Sequence, residues 1–133
     1  MTQQAQIEAF LNGSPFAVAG ASRDREKYGN KVLRAYMQNN LEVFPVTPSA
    51  PDVEGQTAYA NLSSLPTRPH GVSIVTPGKV TEQIVADAIR LGIRHLWMQP
   101  GAETAAAVRL AEEAGINVIH GGPCLLVILR YHE

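Results

Sequence analysis

A glycine followed by a small residue, a hydroxyl and an arginine stands near the beginning of the chain, in the run Gly20-Ala21-Ser22-Arg23. Glycine lets a backbone turn sharply and approach a ligand closely. Amides exposed at the start of a following helix, together with the Ser22 hydroxyl, can donate hydrogen bonds to phosphate oxygens. The chemistry that these residues suit is therefore the binding of an anion, typically a phosphate.

Basic side chains gather directly behind this turn. Between positions 23 and 34 there are five basic residues against two acidic ones, so this segment is +3 in a chain whose formal net charge is −1. The basic residues are Arg23, Arg25, Lys27, Lys31 and Arg34. One interpretation is that they are ordinary solvated residues of a loop and a helix, but their position behind a glycine turn favours a local anion site. The near-neutral chain as a whole offers no field for nucleic acid or an anionic membrane.

A dinucleotide site is the main alternative for this turn. An NAD site requires G-x-G-x-x-G and an acidic side chain at the end of the second strand. Ser22 and Arg25 stand where the second and third glycines should be, and residues 45–48 contain no carboxylate. A carboxylate at this position would repel a ribose 3′-phosphate. Its absence therefore favours a phosphorylated adenine nucleotide such as coenzyme A. NADP stays open as a ligand on charge grounds, although the loop lacks the second and third glycines of a dinucleotide site.

Other reactive residues give weaker signals. Cys124 is the only cysteine and could meet a ligand thiol near the predicted site, although a lone cysteine is more often a small buried hydrophobe. His120 could act as a general base, although a structural role is more common, and no pair of histidines has H-x-x-x-H spacing. No G-x-S-x-G elbow occurs. We therefore predict neither a metal site nor a catalytic set.

Short aliphatic runs alternate with amphipathic segments along the chain, as in buried parallel strands with covering helices. The predicted strands are residues 16–20, 41–46, 71–75, 95–98 and 116–119. The predicted helices are residues 1–13, 29–40, 80–92 and 103–114, with Gly92 and Gly115 ending the last two. Residues 47–69 are expected to form a loop-rich crossover with a short helix around 59–62. The tail, residues 125–133, is expected to pack on the domain as helix or strand.

This alternation predicts the fold class α/β, a three-layer, Rossmann-like, doubly wound parallel sheet of five strands. A chain of 133 residues suffices for one domain, residues 1–133, with one hydrophobic core. In such sheets ligands bind at the carboxyl ends of the strands. The loops at 20–28, 47–51, 76–79, 99–103 and 120–124 are therefore the candidate binding loops.

The remaining composition predicts a cytoplasmic protein. One cysteine permits no intrachain disulfide, and the polar run Thr2-Gln3-Gln4-Ala5-Gln6 differs from a signal peptide. No apolar run approaches the ~20 residues that span a bilayer. We therefore expect neither a membrane nor a nucleic acid as partner.

The sequence resembles the CoA-binding domain family over about residues 14 to 124. The matching runs are Gly20 to Asp24, Lys27 to Val32, Phe44 to Pro48, Gly55 with Tyr59, Thr76-Pro77, Trp97 to Gly101, and Ala114 to Ile116 leading to Gly122-Pro123-Cys124. Members of this nucleotide-binding family include small stand-alone bacterial proteins. The same domain forms the amino-terminal part of the succinyl-CoA synthetase alpha subunit and of related acyl-CoA synthetases.

The resemblance implies a set of binding residues for CoA. Gly20, Ala21, Ser22 and Arg23 would hold the phosphates, with Lys27, Tyr28 or Lys31 close by. Val46, Thr47 and Pro48 would flank the adenosine, and Val75, Thr76 and Pro77 would line the pocket beside it. Gln99 and Gly101 would face the pantetheine. Thr47 replaces the usual asparagine and Gly71 a common aspartate, which puts a role for that carboxylate in doubt.

The related synthetases use further domains, one with a phosphorylatable histidine and one that grasps ATP, for which 133 residues leave no room. The expectation is therefore a module that binds or senses CoA or an acyl-CoA without catalysis. A partner chain or self-association stays open. The alternatives are a small NADP- or nucleotide-dependent oxidoreductase and an interaction domain that has lost its ligand.

Overall fold

The computed structural model describes all 133 residues, Met1 to Glu133. Five strands form a parallel sheet: β1 (Phe16–Ala19), β2 (Val43–Val46), β5 (Gly71–Ile74), β6 (His95–Met98) and β7 (Asn117–Ile119). Two short strands, β3 (Asp52–Val53) and β4 (Gln56–Thr57), form an antiparallel hairpin. The helices are α1 (Gln3–Leu11), α2 (Tyr28–Gln38), α3 (Gly78–Leu91), α4 (Ala105–Glu113) and α5 (Leu125–Ile128).

The strand order in the sheet is β2-β1-β5-β6-β7. The chain runs outward from β1 to β2 and then returns across β1 to continue through β5, β6 and β7, so its direction of travel reverses between β1 and β5. Crevices form at the carboxyl ends of strands at such a reversal. The predicted Rossmann-like α/β fold is confirmed, and its topology directs the search for a site to the ends of β1 and β5.

Each face of the sheet carries its own apolar core, because alternate residues of a strand point to opposite faces. Ala17, Ala19, Leu96 and Met98 pack towards α3 and α4. On the other face Phe16, Val18 and Trp97 pack with residues of α1, α2 and α5. The strands are therefore buried on both sides, which explains their nearly continuous apolar sequences.

The predicted glycine stops are confirmed. Gly92 and Gly115 adopt the left-handed conformation, with φ of 75° and 76°. In each case the next amide donates back into the last helical turn, from Ile93 to the Ala88 carbonyl and from Ile116 to the Ala111 carbonyl. The tail, which the sequence left open between helix and strand, contains the short helix α5.

The crossover between β2 and β5 differs from the prediction. It contains the β3–β4 hairpin, whose central residues Glu54 and Gly55 have φ of 50° and 78°, as a type I′ turn requires. The short helix predicted around 59–62 is wrong, because Tyr59 is extended and exchanges backbone hydrogen bonds with Pro45 and Thr47 along the outer edge of β2. The helical turn comes later, as a 3-10 turn at Leu62–Ser64.

Two glycines bring α2 against the end of β1. A Cβ atom at Gly29 would lie 2.0 Å from the Gly20 carbonyl oxygen. A Cβ atom at Gly20, whose φ is +96°, would lie 2.7 Å from the Val75 carbonyl oxygen. The loop after β1 therefore fits between α2 and the end of β5 only because neither glycine carries a side chain.

Replacing Gly29 with alanine should destabilise the protein by about 2 kcal/mol, because the added methyl group must displace backbone atoms. At an open helical position the same change would stabilise by about 1 kcal/mol through helix propensity. The sign of the change in the free energy of urea-induced unfolding decides between the two. A stabilised G29A protein would contradict this packing.

Candidate functional site

Two adjoining cavities open at the carboxyl ends of the strands, and together we call them the strand-end cleft. The first, of about 640 Å³, is lined by the loops after β1, β2 and β5. The second, of about 520 Å³, lies between the loops after β5 and β6 and the start of α5. Both are lined by Tyr28, Val75, Thr76 and Pro77. The cleft can therefore accept one elongated ligand across the point where the chain reverses direction.

Unpartnered backbone donors border the first cavity. Helix α2 begins after Lys27 without a side-chain cap. The amides of Tyr28 and Gly29 in its first turn, and those of Ser22 and Arg23 in the preceding loop, donate no hydrogen bond within the chain. These donors and the positive end of the helix dipole suit an anion.

The two amides at the head of this loop are already occupied. Gly20 and Ala21 both donate to the Val46 carbonyl, at 3.0 and 3.3 Å. The Ser22 hydroxyl accepts a hydrogen bond from the Asp24 amide at 3.0 Å. Hence Gly20 and Ala21 shape the turn, while the next two residues present their amides.

The buried residue Asn30 fastens this loop from behind. Its side-chain amide donates to the Ser22 carbonyl at 2.9 Å and to the Glu54 carboxylate at 3.0 Å. Its Oδ1 accepts a hydrogen bond from the Arg34 guanidinium at 2.6 Å. One side chain thus joins the loop after β1, the hairpin turn and α2.

The basic segment is largely neutralised in the fold, which corrects the expectation of a +3 patch. Arg23 pairs with Asp52 at 3.0 Å, and Arg25 pairs with Glu54. Lys31 and Arg34 reach Glu133 at the carboxyl terminus, at 3.4 and 3.5 Å. Of the five cations only Lys27 forms no ion pair, and it lines the first cavity.

Most of the predicted binding residues meet in the cleft. The first cavity is lined by Gly20, Ala21, Ser22, Arg23, Lys27, Tyr28 and Thr47. The second is lined by Gln99, Gly101 and Cys124, and the predicted residues Val75, Thr76 and Pro77 border both.

Three predicted residues do not line the cleft. Lys31 is paired with Glu133, the Val46 side chain belongs to the core, and Pro48 is exposed beside the loop. Val46 still contributes through its carbonyl, which anchors the glycine turn.

Gln99 positions one wall of the second cavity. It is 3% exposed, its Oε1 accepts a hydrogen bond from the Leu125 amide at 2.8 Å, and its Nε2 donates to the Cys124 sulfur at 3.4 Å. Both ends of its amide are therefore used to hold the start of α5. His120 lies outside the cleft, 3.7 Å from the Glu103 carboxylate.

Further residues line the cleft beyond those predicted individually. Gly29 lies outside the predicted binding loops, whereas the others fall within them: Asp24, Glu26, Ser49, Ala50, Pro100 and Ala102. The hairpin carboxylates Asp52 and Glu54 form ion pairs with Arg23 and Arg25 in the loop after β1. The pair Glu54-Gly55 between Val53 and Gln56 was the available signal, since a residue followed by glycine between two extended segments is typical of a hairpin turn.

No three side chains among histidine, cysteine, aspartate and glutamate are grouped so as to hold a metal ion. No helix combines the length and the apolar character needed to cross a bilayer.

A family model described as a CoA binding domain matches residues 14–130. The chain belongs to this family. The match covers the sheet, α5 and every residue that lines the strand-end cleft.

Similar proteins are found in archaea. The alpha subunit of the ADP-forming acetate–CoA ligase II of Pyrococcus furiosus is 25% identical over 137 residues, which cover 95% of this chain but 30% of the ligase subunit. A conserved hypothetical protein of the same organism has a solved structure with a TM-score of 0.82 and 34% identity, covering 87% of this chain and 99% of that one.

The larger synthetases contain a similar unit. The acetyl-coenzyme A synthetase 1 of Ca. Korarchaeum cryptofilum, solved with phosphate and ADP, matches with a TM-score of 0.76 and 26% identity over 86% of this chain and 27% of its own. This chain thus spans less than a third of either synthetase component. The similarity to the ligase subunit concerns its CoA-binding domain.

Glu54 should make the free energy of unfolding depend on pH in the acidic range. The hydrogen bond from Asn30 is the largest influence that lowers the pKa of Glu54 below its usual value of 4.5, and the Arg25 guanidinium adds to it. A carboxyl group whose pKa is lowered by folding stabilises the folded state above its unfolded pKa, and this contribution is lost as the pH falls through the folded value. We expect Glu54→Gln to cost about 1 kcal/mol at pH 7, with the deficit shrinking below about pH 4.5.

The measurement is the free energy of unfolding of wild type and variant as a function of pH. Glu113→Gln, at an exposed residue without an ion pair, is the matched control. A deficit for E54Q that is the same at all pH values would contradict the role of the carboxylate.

Proposed function

We propose that this chain binds coenzyme A or an acyl-CoA in the strand-end cleft, as a binding or sensing module without catalysis. The observation that carries the proposal is the continuity of the cleft, which joins a cavity bordered by anion donors to one with an apolar wall. CoA has the same division, with phosphates at one end and an uncharged pantetheine arm at the other. Membership of the CoA-binding domain family supports the assignment.

The phosphates belong in the first cavity under this proposal. The free amides of Ser22, Arg23, Tyr28 and Gly29 supply four donors, and the uncapped start of α2 adds the field of the helix dipole. Lys27 supplies the one cation that no carboxylate neutralises. Arg23 already donates to Asp52, so it acts chiefly by holding the hairpin beside the ligand.

The adenosine lies beside the loop after β2, where Thr47 and Ser49 line the first cavity. The Thr47 hydroxyl accepts a hydrogen bond from the Ser49 amide at 3.2 Å, so threonine keeps this loop turned towards the cleft where asparagine is usual. The pantetheine arm crosses Tyr28 and Pro77 into the second cavity. There Pro100, Gly101 and Ala102 provide small walls, and Cys124 lies at the far end.

A panel of ligands tests this assignment by thermal unfolding. At 100 times its dissociation constant a ligand adds about 2.7 kcal/mol of stability, which raises the melting temperature by several degrees. We expect stabilisation by CoA and acetyl-CoA, less by dephospho-CoA, and none by NAD. Stabilisation by NADP but not by CoA would instead favour the oxidoreductase and overturn the proposal.

Lys27→Gln should weaken CoA binding about tenfold, because a charge-assisted contact contributes about 1.5 kcal/mol. The melting temperature of the free protein should barely change, since Lys27 is exposed and unpaired. Isothermal titration calorimetry measures the affinity. Arg109→Gln removes another exposed charge, on α4, and should leave the affinity unchanged; an equal loss in both variants would attribute the effect to net charge and refute the contact.

A further inference from the structure

A third cavity opens at the opposite end of the sheet, and we call it the basic cavity. Its volume is about 280 Å³, and its lining includes Ser14, Arg68, His70, Gly92, Arg94 and His95. These residues come from the loops that lead into β1, β5 and β6 and, for His95, from the first position of β6. The cavity shares no residue with the strand-end cleft.

The cations of this cavity are unopposed. Four of the other arginines, Arg23, Arg25, Arg34 and Arg90, form ion pairs with carboxylates. In contrast Arg68 and Arg94 form none, and no acidic residue lines the cavity. Four basic side chains around a cavity without a counter-charge are an arrangement that an anion would stabilise.

A purely structural role accounts for one of the two arginines. Arg94 donates to the Gly115 carbonyl at 2.9 Å, where it satisfies the end of α4. Arg68 makes no hydrogen bond within the chain, and its guanidinium lies beside Gly92, where an added Cβ would be 3.1 Å from Nη1. Its donors are therefore available to a ligand.

The two histidines stack in the wall of the cavity, with ring centroids 4.3 Å apart. His70 Nε2 lies 3.0 Å from the Ala9 carbonyl, to which it donates. His95 Nδ1 lies 3.1 Å from the Asn117 side-chain amide; since Nδ2 donates there, Nδ1 accepts and the proton of neutral His95 is on Nε2. Burial, together with the charges of His70 and Arg94, lowers the pKa of His95, so at pH 7 its neutral ring offers the Nε2 proton as a donor.

We propose that the basic cavity binds a single phosphate group, through the Arg68 guanidinium assisted by Arg94, His95 and the Ser14 hydroxyl. A volume of about 280 Å³ is below the roughly 300 Å³ at which pockets for drug-sized ligands begin. The cavity therefore suits a small oxyanion better than a drug-sized ligand. Arginine has the planar set of donors that matches phosphate oxygens.

The test is residue-resolved. Inorganic phosphate is titrated into the ¹⁵N-labelled full chain at pH 7, with chloride exchanged to keep the ionic strength constant. We expect saturable shifts of the Gly92, Arg94 and His95 amides, on a binding curve separate from any shifts at Ser22 and Tyr28 in the cleft. Methyl phosphate in place of phosphate distinguishes a site for the free ion from one for a phosphate monoester.

Arg68→Gln should weaken the binding curve of the basic cavity about tenfold and leave that of the cleft unchanged. Arg109→Gln is the control for net charge. Shifts confined to the cleft, shifts that chloride reproduces, or equal weakening in the two variants would each overturn the second site. Because the two curves are resolved separately, failure here would leave the proposed CoA site untouched.

Discussion

The contact between the Gly20 carbonyl and Gly29 is the constraint on which the site depends. It sets the distance between the end of β1 and the start of α2, since a side chain at Gly29 would come within 2.0 Å of that oxygen. Gly20 in turn is pressed against the Val75 carbonyl at the end of β5. These contacts fix the loop between the two strands where the chain reverses direction, so that its next amides face the cleft. A looser junction would leave the same donors without a common direction.

The electrostatics of the cleft follow from this geometry more than from the number of charges. Asp52, Glu54 and Glu133 neutralise four of the five cations that the sequence gathers behind the glycine turn. Exposed ion pairs of this kind contribute little stability each. Their larger effect is positional, because they tie the hairpin and the carboxyl terminus to the loop and to α2. Anion recognition is then left to fixed backbone amides, the helix dipole and Lys27.

The features that sequence predicted well are local. The repeat of apolar residues along α3 and the glycine at position 92 determine that helix and its end, and β6 is a short aliphatic and aromatic run buried on both faces. The features that it missed depend on contacts between distant residues. Arg23 meets its partner 29 positions away, and Arg34 reaches Glu133 across 99 positions. The sequence likewise could not reveal that the amides of Gly20 and Ala21 donate to the Val46 carbonyl. The amides left free to bind an anion are therefore those of Ser22 and Arg23.

The two ends of the sheet carry different chemical groups, and the same strands connect them. Strand β6 has Arg94 and His95 at its amino end and Gln99 just beyond its carboxyl end, with Leu96, Trp97 and Met98 fully buried between them. Its neighbours β5 and β7 hold it by parallel pairing. Close-packed interiors of this kind resist small displacements. An anion in the basic cavity would therefore bind beside a rigidly packed strand, and any influence on the cleft would have to act through strain carried along β6, through the electrostatic field or through the loops.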